Sequence, residues 1–220
     1  MAVTLENLWK SFPAPEGPVH VARGISLRLP ARRSIALLGR NGAGKSSLLR
    51  LIAGTMRPDR GQVLRDGRVS WPVGFAGGFH GDLTGAQNVR FVARIYGADA
   101  DALCDFVARF TDLGPQFHGP FRRFSSGMRA RLAFGVSMGL PFDTYLVDEV
   151  TSVGDAAFRA RSAAVLAERL QRSGAIIVTH ATPQLSRLCQ SGVVLDQGAA
   201  TWHESIDDAI AHHDELVGMA

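Results

Sequence analysis

Ser34-Ile35-Ala36-Leu37-Leu38-Gly39-Arg40-Asn41-Gly42-Ala43-Gly44-Lys45-Ser46-Ser47 is the stretch that decides the fold. Its apolar half, Ser34 to Leu38, reads as a buried strand. A glycine-rich turn follows, and the run from Ser46 to Ala53 reads as a helix that begins near Gly44 and closes at Gly54. The spacing G-x-x-x-x-G-K-[S/T] is that of a phosphate-binding loop. The ligand explains the residue types. Glycines let successive backbone N–H groups turn inward around phosphate oxygens, and the helix start adds its positive end. Lys45 is a mobile charge for β- and γ-phosphates, and the Ser46 hydroxyl is a hard oxygen ligand for Mg²⁺. An ordinary glycine-rich turn would need neither the strand before it nor the Lys-Ser pair and helix after it.

Three shorter stretches lie downstream in a fixed order. Phe124-Ser125-Ser126-Gly127-Met128 reads, taken alone, as a serine-capped helix start. Tyr145-Leu146-Val147 is a buried strand running into Asp148 and Glu149 at its carboxyl end, where ligands of open α/β sheets gather. Asp148 there suits Mg²⁺, through water, and Glu149 suits a general base that polarises the attacking water. On its own the pair could be a solvated strand end. Ala175-Ile176-Ile177-Val178 is a further strand, ended by Thr179-His180; His180 can donate a hydrogen bond at neutral pH whether charged or not.

Taken together in this order, the four stretches resemble the nucleotide-binding subunit of an ABC transporter, over nearly the whole chain. The resemblance implies an α/β fold: an ABC-type P-loop ATPase with a mixed core sheet, an antiparallel β region and an inserted α-helical subdomain. It implies that Gly39, Asn41, Gly42, Ala43, Gly44, Lys45, Ser46 and Ser47 hold the phosphates of ATP, with Ser46 and Asp148 on Mg²⁺. It makes Lys45, Glu149 and His180 the catalytic set, His180 contacting the γ-phosphate, and sets the Phe12 ring on adenine. A core aromatic is the other reading of Phe12, and stacking alone does not select the base. Ser125, Ser126 and Gly127 match the signature that closes over the γ-phosphate of a partner subunit, and Asp155 matches a residue that communicates between the two subunits. Two signature positions depart: Ser126 stands for a glycine and Met128 for a glutamine. A third departure is the glutamine that usually links metal and water to the membrane partner. Val73 to Gly81 contains none, and Gln87 falls in the next helix, so the role passes to no residue. The glycine-rich aromatic stretch Trp71 to Phe79 is left to couple in another way.

One branch is matched in more detail. Phe124 to Phe134, Asp148-Glu149-Val150-Thr151-Ser152-Val153-Gly154-Asp155 and Ser70-Trp71-Pro72 through Thr84-Gly85 are similar to the exporters of bacterial surface polysaccharides, and to the capsule exporters above all. The implied assembly is a homodimer of this ATPase with separate integral membrane permease subunits, on the cytoplasmic face of the inner membrane. It touches neither nucleic acid nor, directly, the polysaccharide. Export of O-antigen or teichoic acid is the alternative. A soluble ABC ATPase would have two cassettes or a long coiled-coil insertion, and a small-molecule kinase would lack the signature, Asp155 and His180.

The bulk properties agree. At 220 residues and 46% hydrophobic content, one domain with a subdomain is expected: a core of 1–84 and 141–220, and a helical subdomain over about 85–140. In the latter, Val89, Val92, Ala93 and Tyr96 share one helical face, as do Leu103, Phe106, Val107, Phe110 and Leu113. Phe91, Arg94 and Tyr96 are candidates for a groove that takes a helix of the membrane subunit. No uncharged apolar run reaches membrane-spanning length, and Met1 to Glu6 reads as an acid-interrupted strand, not a leader. At this length no added carbohydrate-binding domain of the kind some O-antigen exporters carry is expected. The two cysteines, Cys104 and Cys189, lack metal spacing and read as free buried thiols. A net charge of +4, mostly from arginine, suits either attraction to anionic lipid or nucleic acid, or a solvated basic surface.

Overall fold

The computed structural model describes residues 3–148, 154–179 and 182–218. The chain divides into two compact units. One comprises the described residues of Met1–Pro72, Phe142–Glu149 and Leu170–Ala220; the other those of Val73–Pro141 and Val150–Arg169.

Among its described residues the first unit holds two sheets. β1 (Val3–Phe12) pairs antiparallel with β2 (Val19–Leu29) on one side and β4 (Arg60–Arg65) on the other. The larger sheet runs in the order β5 (Val69–Pro72), β6 (Thr144–Asp148), β7 (Gly174–Val178), β3 (Ser34–Leu38), β8 (Ser191–Asp196), β9 (Ala199–His203). All but β9 are parallel. Every residue of β3 and β7 is buried, which is why both read as unbroken apolar runs without alternation. Helix α1 (Lys45–Ala53) supplies Leu48, Leu49, Leu51 and Ile52 to a core shared with Leu5, Leu8 and Ile25 of the antiparallel sheet and Ile35, Leu37, Leu146 and Ile176 of the parallel one. The expected mixed sheet with an antiparallel β region is therefore present.

This strand order creates the site. β7 lies between β3 and β6, and Asp148 stands opposite Val178 in register. The carboxyl ends of three neighbouring parallel strands thus open side by side: Leu38 into the glycine loop, Asp148 at the end of β6, and Val178 at the end of β7.

The second unit is helical: α2 (Gly85–Ile95), α3 (Ala100–Thr111), α4 (Ser126–Gly139) and α5 (Ala156–Leu170, whose last residue belongs to the first unit). α2 buries Val89, Val92 and Ala93, and α3 buries Leu103, Val107 and Phe110, on the faces expected from their spacing. Tyr96 and Phe106 are only half-buried. Phe110 packs against Phe106, Phe134 and Phe158, joining α3, α4 and α5 through aromatic contacts. α4 starts at Ser126, as a serine-capped start requires: the Ser125 hydroxyl caps the first turn by accepting the Met128 N–H. Cys104 and Cys189 are free and buried. α6 (Thr182–Leu188) and α7 (Ile206–Gly218) return to the first unit. Among the described residues no helix is long and apolar enough to cross a membrane.

Candidate functional site

At the carboxyl ends of β3, β6 and β7 lies a cavity of about 590 Å³, lined by Phe12, Val19, Val21, Asn41, Gly42, Gly44, Lys45, Ser46, Ser47, Asp148 and Val178. Its size is that of a small-molecule or cofactor site. Eight of these eleven were singled out from sequence; Val19, Val21 and Val178 were not. The missed three are β-branched residues of strands, chemically indistinct from core. Only the pairing of β1 with β2, which sets Phe12 opposite Val19, brings two of them to the opening.

The loop is built for anions by what it leaves undone. α1 begins at Gly44 without a side-chain cap and without an acidic residue in its first turn. α2 has a Thr84–Gln87 capping box, α3 is capped by Asp99 and α4 by Ser125. The orphan N–H groups at the start of α1, with the positive end of its dipole, are thus left for a ligand. Gly44 holds φ +98°, and a Cβ there would come within 2.6 Å of Val21 Cγ1. Gly39 passes so close to β8 that a Cβ would meet the Leu195 carbonyl oxygen at 2.3 Å. Neither position admits a side chain. Between them the Ala43 N–H donates to the Arg40 carbonyl at 3.1 Å, closing a tight turn.

Lys45 Nζ donates to the Gly39 carbonyl at 2.7 Å and the Arg40 carbonyl at 3.1 Å. The ammonium lies along the loop whose ligand it would share, and phosphate oxygens would compete with these carbonyls for its protons. Ser46 and Asp148 both face the cavity, giving it a hydroxyl and a carboxylate, the hard oxygens that suit Mg²⁺. Phe12 is 37% exposed at the rim, with Lys10 Nζ 5.4 Å from its ring centroid. An aromatic ring so exposed at a cavity mouth is available for stacking rather than committed to the core.

The remaining expected residues stand elsewhere. Gly39 and Ala43 belong to the loop without lining the cavity. Ser125, Ser126 and Gly127 open α4 in the helical unit. The Ser125 oxygen accepts from Met128, so its hydroxyl proton is still available to an acceptor. Asp155 precedes α5: its Oδ1 accepts the Phe158 N–H at 2.8 Å and its Oδ2 the Arg131 Nη2 at 2.6 Å. Those two contacts, the Phe158 N–H first, hold its carboxyl below the usual range. Glu149 and His180 lie outside the described residues. Gln87 is the third residue of α2, its side chain accepting the Thr84 N–H, which accounts for it as a capping residue.

One residue passed over in sequence is Asn88. It is fully buried, accepts the His80 N–H at 2.8 Å and donates to the carbonyls of His80, Leu83 and Thr84. It ties the end of the Val73–Gly81 stretch to α2. The available signal was a lone amide on an otherwise apolar helix face, between Gly85 and Val92.

The family model for the ABC transporter matches residues 22–152. The polysialic acid transport ATP-binding protein KpsT of Escherichia coli is 44% identical to this chain, over 96% of this chain and 98% of its own length. The capsule polysaccharide export ATP-binding protein CtrD of Neisseria meningitidis serogroup B is 38% identical, over 97% and 99%. Among solved structures, the dimeric post-hydrolysis state of the ATP-binding cassette MJ0796 bound to ADP and Pi superposes with a TM-score of 0.76 at 18% identity, covering 93% of this chain and 98% of that one. With its uncapped phosphate loop beside a strand-end carboxylate, the chain belongs to the ABC transporter family, as one of its ATP-binding, ATP-hydrolysing proteins.

Proposed function

We propose that this protein powers the export of a capsular polysaccharide across the inner membrane, as the peripheral ATPase of a transporter whose membrane-spanning permease is a separate subunit. The observation that carries the reading is the 44% identity to a polysialic acid transport ATP-binding protein along almost the full length of both chains. The cavity supplies the chemistry. Backbone N–H groups of Gly42 and Gly44 and the Lys45 ammonium bind the phosphates, and Phe12 stacks on the base. Ser46 and Asp148 would hold Mg²⁺, which offsets charge on the phosphate oxygens. Glu149 takes a proton from the attacking water, and His180 hydrogen-bonds the γ-phosphate. A phosphate loop alone leaves the γ-phosphate open to solvent on one side. The Ser125–Gly127 stretch of a second copy closes that side, with the Ser125 proton as donor, so the working unit is a homodimer. ATP favours the closed pair and hydrolysis reopens it, and this cycle drives the permease.

The test is polysaccharide location in cells whose only copy carries Glu149→Gln. Polymer trapped inside beneath a bare surface, with the purified variant binding ATP but not turning it over, is the expected result. A normally coated surface would remove the export reading and leave the ATPase reading standing. Wild-type turnover by the variant would remove Glu149 from its role.

A further inference from the structure

Arg131 stands in the second turn of α4, the helix that opens at Ser125. Its Nη2 donates to Asp155 Oδ2 at 2.6 Å, and its guanidinium carbon lies over the Phe158 ring, 4.9 Å from the centroid. The second oxygen of the same carboxylate accepts the Phe158 N–H and so caps α5. Phe158 is 1% exposed, wedged against Phe110 and Phe134. The arrangement is a clasp. A planar guanidinium is fixed on one face by a buried ring and at its edge by a carboxylate, and that carboxylate is itself fixed by a helix start. The ring contact uses a property that lysine lacks, the planar guanidinium; the carboxylate contact is a single charge-assisted hydrogen bond. The Arg131 side chain is 20% exposed and that of Asp155 62%, so the ring and the helix cap, rather than the ion pair alone, hold the guanidinium in place. Its neighbour on the helix, Arg129, is engaged differently, with the Arg122 carbonyl and the Phe121 ring.

We propose that Arg131 is a positioning residue for ATP hydrolysis, because the clasp makes the signature helix and the entry to α5 move as one body. The proposal rests on the reading of Ser125 and Glu149 given above. Ser125 heads α4, and Asp155 follows Glu149 in the sequence after a short connection. If both segments must meet a nucleotide shared with a second copy, they must arrive together. Aromatic packing already joins the bodies of α4 and α5; the clasp adds a fixed position for the Asp155 carboxylate at the α5 start, and small misplacement of reacting groups is costly.

The experiment compares the purified full chain with Arg131→Ala, Arg131→Lys, Asp155→Asn and the Ala/Asn double variant. Asp155→Asn retains an amide oxygen for the Phe158 N–H, so it removes the charge pair and leaves the cap. Steady-state ATP hydrolysis, affinity for a fluorescent ATP analogue and melting temperature are read for each. The expected result is a fall in kcat of about tenfold in Arg131→Ala and in Asp155→Asn, with analogue affinity within about twofold of wild type. The double variant should be no slower than the slower single one, and Arg131→Lys should fall between. Unchanged kcat in both single variants overturns the proposal. So do losses that multiply in the double variant, and losses matched by weakened nucleotide affinity and early melting. A wild-type chain without ATP turnover would bring down the underlying site reading as well; wild-type turnover with full-rate variants would bring down the clasp alone.

Discussion

Gly44 carries two demands at once. The chain turns into α1 there at φ +98°, and Val21 of the adjoining strand occupies the space a Cβ would take. Gly44→Ala should therefore cost about 1–3 kcal/mol from backbone strain, with the clash in addition. Val21→Ala in the same chain should return the clash part and leave the strain. Thermal melting of the two single variants and the double one checks this; a double variant that melts no higher than Gly44→Ala would refute the steric account. Reactivity at the two cysteines is likewise a residue-scale matter. Burial pushes the Cys189 thiol up to about 12 and raises Cys104 as well. Both should resist thiol reagents in the folded protein at neutral pH and react once it is unfolded, since the thiolate is the nucleophile. Rapid labelling of the native chain would contradict that.

Among the elements, helix starts differ in whether a side chain caps them. α2, α3 and α4 satisfy their own first turns, and α1 does not. That contrast could be anticipated for α4, because Ser125 is a capping residue type in a recognisable place. It was harder to foresee for the loop between β5 and α2, where no glutamine stands in the expected stretch. The structure shows that this loop is tied down by Asn88, and additionally by an Asp82–Arg122 ion pair and by Phe79 against Phe121. Asn88→Ala would remove the side chain that accepts the His80 N–H and donates to the Leu83 carbonyl, and should destabilise the helical unit by about 1–2 kcal/mol. Amide hydrogen exchange should quicken at 80–84 more than in β3 or β7; uniform or absent quickening would show that Asn88 is not the tie.

For the whole molecule, three exposed carboxylates contribute to the response to acid. Asp59, bonded by Lys10 and Ser11, Asp155, bonded by the Phe158 N–H and Arg131, and Glu204, bonded by Arg33 and Trp202, are all held below their ordinary values of 3.8 for Asp and 4.5 for Glu. In each case the folded state prefers the charged form. Stability from these groups is therefore complete above the ordinary values and is lost as the pH falls from those values through the lower folded-state ones. Melting temperature should hold between pH 7 and 5 and drop below about pH 4.5, and Glu204→Gln should make that drop shallower. An unchanged acid slope in Glu204→Gln would exclude the Arg33–Glu204 pair as a contributor. The sequence by itself determined the phosphate loop, the helix it opens and the acidic end of β6, because each rests on local geometry: a spacing of glycines, an apolar run, a capping residue; the class of fold followed from the family that the ordered motifs resemble. Only tertiary structure decided that β7 separates β3 from β6, so that Asp148 and Ser46 line one cavity; that Val19 and Val21 form part of its wall; and that Arg131 reaches Asp155. Those facts depend on strand order and helix packing between residues distant in the chain, where pairing is settled by the combined burial of many apolar side chains and leaves no local pattern to read.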